Sequence, residues 1–306
     1  LEWMFEPWED TRAAGEWLLE LESYFHPEII HLNGYCHGDL AWEAPVLIAG
    51  HSCVWSWWEA VKGETAPPQW NRYRSRVRAG LRGGDMVVAP TAAMLNALER
   101  WYGPLPAARV IPNGRSRQGL SPGIKEDFVF SAGRLWDEAK NVAALAGVAG
   151  RLPWPVMIAG DRRHPDGRAT PLGGAHSLGH LSAEELAPWF SRAAIYALPA
   201  RYEPFGLSVL EAALAGCALV LGDIASLREN WEDAALFVPP DDPEALQAAL
   251  LALINQPERR GELARRAREI ALAFTPQAMA GGYLAAYAEL QSLDKKSRPE
   301  LTVCAS

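Results

Sequence analysis

Residues 203–211 read Glu203-Pro204-Phe205-Gly206-Leu207-Ser208-Val209-Leu210-Glu211 and follow a short apolar run at 195–198. A run that does not alternate apolar with polar fits a strand buried on both faces. The residues after 206 have helical character, so the chain passes from strand to helix through this loop. Pro204 and Gly206 shape it at the carboxyl end of the strand, where open parallel sheets bind ligands. Free N–H groups at Gly206 and Leu207 point out of the helix start and suit a phosphate. Glu203 lies in the loop and Glu211 a turn or more into the helix. Carboxylates in such places suit hydroxyl recognition, because each accepts two or more hydrogen bonds. A structural helix with two solvated acids fits the same residues equally well.

Outward from this loop, short apolar runs alternate with helical patterns along the whole chain. Strands are expected at 28–32, 45–50, 86–90, 109–112, 128–132, 155–160, 175–179, 195–198, 218–221 and 235–238. Helices are expected at 11–24, 66–82, 92–101, 138–151, 183–193, 207–215, 242–255, 258–273 and 276–290. This βαβα order implies an α/β fold of parallel sheets covered by helices on both faces. A stretch at 115–123 rich in Gly, Ser, Arg and Pro reads as a linker. The expected organisation is a first domain at 1–114, a second at 115–275, a helix at 276–293 with one buried face, and a polar tail at 294–306.

A second loop, Gly133-Arg134-Leu135-Trp136-Asp137-Glu138-Ala139-Lys140-Asn141, also follows an expected strand. Arg134 and Lys140 flank a helix start, and two cations there suit a diphosphate. Surface pairing with Asp137 and Glu138 is the plainer alternative. His51 follows the strand at 45–50 and His31 ends the strand at 28–32; a lone histidine is more often structural than chemical.

Composition narrows the function classes. The chain has 306 residues, 49% hydrophobic and 22% charged, enough for two globular domains with real cores. A net charge of −8 argues against bulk binding to nucleic acid. No apolar run approaches the roughly 20 residues that span a bilayer. Cys36, Cys53, Cys217 and Cys304 are scattered without metal spacing and read as reduced thiols of a cytoplasmic protein. Thirteen tryptophans, several before residue 71, suit a core or an aromatic platform. Lys62, Arg72, Arg74, Arg76, Arg78 and Arg82 are either a solvated helix face or a peripheral contact to an inner membrane surface or a lipid diphosphate.

Taken in order, strand–Gly-Arg-Leu–Lys140-Asn141–helix, then Gly160-Asp161, then Gly179-His180-Leu181-Ser182, then Glu203-Pro204-Phe205-Gly206-Leu207 to Glu211, the chain from about Val110 to Tyr287 resembles the retaining family 4 glycosyltransferases, also called group 1. That resemblance implies a GT-B fold, two Rossmann-like doubly wound domains facing across a cleft. It implies transfer of a hexose from a nucleoside-diphosphate sugar, with UDP-glucose as the family's prior. The acceptor is an unidentified sugar, lipid or small molecule, and no metal or other cofactor is implied. Arg134 and Lys140 match the residues that neutralise the donor diphosphate, with Gly133 and Asn141 beside them. Glu203 matches the acid on the donor sugar, and Phe205, Gly206 and Leu207 the adjoining segment. Glu211 matches the acid on the ribose, while Gly160, His180 and Leu181 fall near the base. His51 matches a histidine facing the transferred sugar, and His31 a strand end of the same domain. The catalytic residues so implied are His51, Arg134, Lys140 and Glu203.

The family's first domain begins with a strand and a glycine-rich loop, and no such loop precedes Leu1. A first sheet short of its initial strands is therefore expected, with a further segment or a partner covering its open edge. A truncated start, a divided gene and an incomplete relative that binds sugar nucleotides without catalysis all fit this departure.

Overall fold

The structure, a computed structural model, describes residues 2–4, 6–163, 167 and 170–292. Ten strands among these residues form two parallel sheets. Their positions match every strand expected from the sequence, with ends moved by a few residues.

The first sheet has the order β1 (Ile30–Leu32), β2 (Val46–Ala49), β3 (Met86–Ala89), β4 (Ala107–Val110). β2 and β3 are fully buried, whereas the edge strands β1 and β4 are more open. One face packs on α2 (Val54–Lys62), α3 (Asn71–Gly83) and α4 (Ala92–Tyr102) through Trp55, Val77, Leu81 and Leu98. α1 (Trp8–Phe25) precedes this sheet. Its buried Glu22 carboxylate accepts 2.9 Å hydrogen bonds from the N–H groups of Glu43 and Ala44, which holds the approach to β2.

The second sheet has the order β10 (Ala235–Val238), β9 (Ala218–Gly222), β8 (Ala193–Leu198), β5 (Glu126–Ala132), β6 (Val156–Ala159), β7 (His176–Gly179). One face carries α5 (Val142–Ala149) and α9 (Pro243–Asn255). The other carries α6 (Ala183–Arg192), α7 (Leu207–Leu214), α8 (Ala225–Trp231) and α10 (Pro257–Ala271). From β5 the chain winds outward through β6 and β7, then returns to the other side of β5 for β8, β9 and β10. The order reverses between β5 and β8, which is the switch point where doubly wound sheets open a crevice at their carboxyl ends. Both motif loops leave from there, 133–141 after β5 and 199–206 after β8.

α11 (Pro276–Ser292) lies on the first sheet, packing Ala286 and Leu290 against Leu47, Met86 and Val88. Two glycines permit that crossing. A Cβ on Gly114 would lie 2.2 Å from the Thr275 carbonyl oxygen, and one on Gly282 would lie 2.9 Å from Ile111.

Two helices were not expected. α2 is capped by Cys53, whose thiol accepts from the Ser56 N–H, and cysteine is not a usual capping residue. α8 is short and has no side-chain cap at its start. The helix expected at 138–151 is broken: residues Glu138–Lys140 form a single 3-10 turn, Asn141 takes a left-handed φ of 54°, and α5 begins only at Val142. The tail at 294–306, with Cys304, lies outside the described residues. Cys36, Cys53 and Cys217 are free and buried.

Most of the early tryptophans serve the core and do not form an open platform: Trp42 and Trp55 are buried, and Trp8, Trp58 and Trp70 pack against them. Four of the basic residues between 62 and 82 are engaged internally. Arg72 covers Trp8, Arg74 covers Trp55, Arg76 makes a two-armed contact with Asp39, and Lys62 pairs with Glu138. No helix among the described residues is long and apolar enough to cross a membrane.

Candidate active site

The break at Asn141 is what presents Lys140. The Asn141 side chain is buried, and its amide donates to the Pro199 carbonyl at 2.9 Å and the Pro240 carbonyl at 2.6 Å. Asn141 thus ties the end of β5 to the ends of β8 and β10, and both its amide hydrogens are committed. Asn141, expected beside the donor, has its side-chain amide turned inward to these two carbonyls. Lys140 then reaches across the switch point to Glu203, and the two side chains, 16% and 12% exposed, form an ion pair.

Glu203 has a second role. Its other oxygen accepts from the Gly206 N–H at 3.0 Å. Gly206 has φ 92° and is the residue that opens α7; having no side chain to cap the helix, it gives its own N–H to the Glu203 carboxylate, so that N–H is not free as the sequence suggests. A Cβ on Gly206 would sit 3.1 Å from Val209 and 3.2 Å from Leu227, and glycine alone adopts this backbone without strain. Phe205 is buried against Phe274 and belongs to the core, whereas Leu207 is exposed beside the helix start.

Arg134 is exposed, lies over the Trp136 ring and pairs with Asp137 at 3.0 Å. Asp137 is buried and also accepts from the Ala139 N–H at 3.0 Å and the Trp57 indole at 3.4 Å. The surface pairing expected of this loop is met for Arg134, which takes Asp137, whereas Lys140 pairs with Glu203 of the other motif loop and with neither Asp137 nor Glu138. Glu211 is held by Arg115 at 2.7 Å. Burial raises the Glu211 pKa and Arg115 opposes the rise. In the sequence Arg115 falls within the stretch that reads as a linker. Nothing local in the sequence pairs it with Glu211, because the contact is made by the crossing of 114–115 over 274–276. Tyr196 completes this side, its hydroxyl joining Ser208 at 2.8 Å and the Ala132 carbonyl at 3.2 Å.

Gly160 underlies the Gly133 loop, and a Cβ there would come 1.8 Å from the Gly133 carbonyl oxygen. His180 is exposed, with its ring 3.8 Å from the Asp161 carboxylate, and Leu181 is partly buried.

In the first half, His51 lies just beyond β2, and its ring approaches the Asn33 side chain at 3.2 Å. His31 meets the Tyr287 hydroxyl at 2.7 Å and stacks on Tyr283. A cavity of about 550 Å³ lies among His31, Asn33, His51, Asn113 and α11. Desolvation lowers the pKa of both histidines, and His51 further lowers that of His31. Protonating His31 would also leave its buried Nε2 hydrogen without an acceptor among the described residues. Both groups bind protons more readily in the unfolded chain, near pH 6.5, so their contribution to stability is present above about 6.5 and lost as pH falls below it. The melting temperature should therefore drop between pH 7.5 and 5.5. His31→Gln, which keeps a polar partner for Tyr287, should flatten the drop, as thermal melts at several pH values will read.

No group of three or more His, Cys, Asp or Glu side chains able to hold a metal ion is found among the described residues. Around the β5/β8 switch point lie the cations Arg134 and Lys140, the start of α7 and the acids Glu203 and Glu211, each acid paired with a cation.

Comparison with known proteins agrees with this geometry. The family model described as Glycosyl transferases group 1 matches residues 126–256, and that described as Glycosyltransferase Family 4 matches residues 3–117. The chain belongs to the family 4 glycosyltransferases. The match takes in the first half as well, beyond the span from Val110 read in the sequence. Glycogen synthase of Mycobacterium tuberculosis is 32% identical over 162 residues, 52% of this chain and 37% of that protein. The aligned region is thus little more than a third of that relative's length. Among solved structures, sucrose-phosphate synthase from Thermosynechococcus elongatus superposes with a TM-score of 0.80 at 23% identity, covering 93% of this chain and 79% of that one. Anabaena HepE, solved with UDP and glucose, superposes with a TM-score of 0.70 at 14% identity, covering 90% and 81%. These likenesses establish the GT-B fold for this family 4 chain.

Proposed function

We propose that this glycosyltransferase moves a hexose from a nucleoside-diphosphate sugar to a hydroxyl acceptor with retention of configuration. The observation that carries the proposal is the Lys140–Glu203 pair at the β5/β8 switch point, beside the start of α7. Membership of family 4 and the UDP and glucose held by the HepE relative support the donor class.

The chemistry follows from where charge develops. Cleaving the bond from sugar to diphosphate places new negative charge on the leaving phosphate. Lys140, Arg134 and the free N–H groups at the start of α7 are fixed charges and dipoles suited to that charge, and preorganised groups of this kind stabilise a transition state without reorganising. A diphosphate competes with Glu203 for the Lys140 ammonium. As it does so, the Glu203 carboxylate is freed to accept hydrogen bonds from sugar hydroxyls. Glu211, set by Arg115, accepts from the ribose. In this reading the departing phosphate takes the acceptor's proton, the acceptor enters on the His51 side, no nucleophile of the protein is required, and no metal is needed.

The test is a thermal-shift panel of UDP-glucose, GDP-mannose and ADP-glucose. The donor should stabilise the chain by about 2.7 kcal/mol at a hundredfold excess over its Kd. No shift with any sugar nucleotide at millimolar concentration would remove the donor-site assignment.

A further inference from the structure

The direct contacts of Glu203 are with its own half, but the residues on either side of it are held by the other half of the molecule. The Tyr202 hydroxyl accepts from the Cys53 N–H at 3.2 Å and exchanges a 2.9 Å hydrogen bond with Ser56, both at the start of α2. The Pro204 carbonyl accepts from the Thr91 hydroxyl at 2.9 Å, at the start of α4. Between them, the Glu203 carbonyl accepts from Ser226 at 2.5 Å. The backbone of Glu203 is thus fixed at three consecutive residues, two of them by the first sheet's helices. The same helix starts are secured in return. The Glu229 carboxylate accepts from the N–H groups of Ala92 and Ala93 at 2.8 and 3.0 Å, and the Trp57 indole donates to Asp137 in the Lys140 loop.

We propose that Tyr202 and Thr91 are positioning residues that set the Glu203 carboxylate for transfer by locking its loop to α2 and α4. This rests on the role proposed above for Glu203. Cys53 follows His51 by two residues, so one hydrogen-bonded node links the loop carrying His51 to the loop carrying Glu203. Placement of the two loops is then a single event: bringing the halves together seats Glu203 between Lys140 and Gly206. A geometric error of an ångström at such a group costs up to about a hundredfold in rate. The tyrosine touches neither the diphosphate-binding groups nor α7, so its loss acts through the position of Glu203.

The test compares the full chain with Tyr202→Phe, Ser56→Ala, the double variant and Thr91→Val, using Thr91→Ser as the conservative rescue. Two measurements are made. Hydrogen exchange without nucleotide reads the amides of 203–207, including the Gly206 N–H that Glu203 accepts from. Steady-state release of UDP from UDP-glucose reads kcat and KM separately. Exchange in 203–207 should quicken in Tyr202→Phe and Thr91→Val while that of 243–271 stays unchanged, with Thr91→Ser close to the parent. kcat should fall at least about tenfold with KM for UDP-glucose within about twofold, as expected when a group is misplaced and the nucleotide contacts are kept. The Tyr202→Phe and Ser56→Ala losses should be less than additive, since both remove the Tyr202–Ser56 bond, while Tyr202→Phe alone also loses the bond from the Cys53 N–H. Unchanged exchange in 203–207, or faster exchange with unchanged kcat, overturns the proposal. If the parent chain neither binds nor cleaves UDP-glucose, GDP-mannose or ADP-glucose, the role of Glu203 fails instead, and the exchange measurement still decides whether the two loops are linked.

Discussion

Lys140→Ala should lower glycosyl transfer by roughly a hundred- to a thousandfold, the loss typical when one fixed donor facing a developing anion is removed. The size follows from its setting. Lys140 is 16% exposed and sits at the switch point, so its charge is poorly screened by water. Arg134 cannot replace it, because that guanidinium is exposed and drawn towards Asp137. The fold should survive the change. Glu203 keeps its bond from the Gly206 N–H, and the Asn141 amide goes on tying β5 to β8 and β10. Lys140→Gln, which retains a hydrogen-bond donor for Glu203, should preserve the melting temperature better than alanine yet be nearly as slow. That pattern, in turnover assays paired with thermal melts, separates lost charge from lost structure. Transfer at the parent rate in Lys140→Ala would sink the assignment of this lysine to the diphosphate.

Gly160→Ala should be the most damaging of the small substitutions. The residue has φ 137°, and an added Cβ would lie 1.8 Å from the Gly133 carbonyl oxygen and 3.4 Å from Leu135. The obstacle is backbone, so no side chain can swing aside. Either the end of β6 or the Gly133 loop must move, and overpacking together with an unfavourable backbone costs about 3 kcal/mol. Because the displaced loop leads to Arg134 and Lys140, turnover should fall with stability. Gly261 is the internal control. It lies within α10 with no atom near its Cβ position, so Gly261→Ala should be neutral or stabilise by up to about 1 kcal/mol. Urea midpoints for the two variants will show whether the difference comes from close approach or from glycine in general.

The strands were legible in the sequence because buried parallel strands announce themselves as short unbroken apolar runs between helices; the order that makes β5 and β8 neighbours was not. The loops carrying Lys140 and Glu203 were legible for the same reason, since they sit at strand ends and open helices. Their pairing was not. Lys140 and Glu203 are 63 residues apart, and their contact exists only because β8 returns to lie beside β5. Arg115 on Glu211 and Tyr202 on Ser56 were hidden in the same way, the first made where 114–115 crosses 274–276 and the second between the two halves. Asn141 was misleading in a different manner. Its place beside Lys140 suggested a ligand contact; what the local sequence does not show is its positive φ and the inward amide that ties β5 to β8 and β10. α2 escaped notice because a thiol caps it. Among the described residues the first sheet has β1 and β4 as its edge strands.

The most direct test of the account is calorimetric. The nucleotide of the stabilising sugar nucleotide is titrated, as mono- and as diphosphate, into the parent chain and into Lys140→Ala. If Lys140 and the α7 start hold the terminal phosphate, the parent should bind the diphosphate at least about tenfold more tightly than the monophosphate, the worth of one charge-assisted contact. In Lys140→Ala that preference should collapse while monophosphate affinity stays near the parent value. An equal preference for the diphosphate in both proteins would contradict the central claim that this switch point is a sugar-nucleotide diphosphate site.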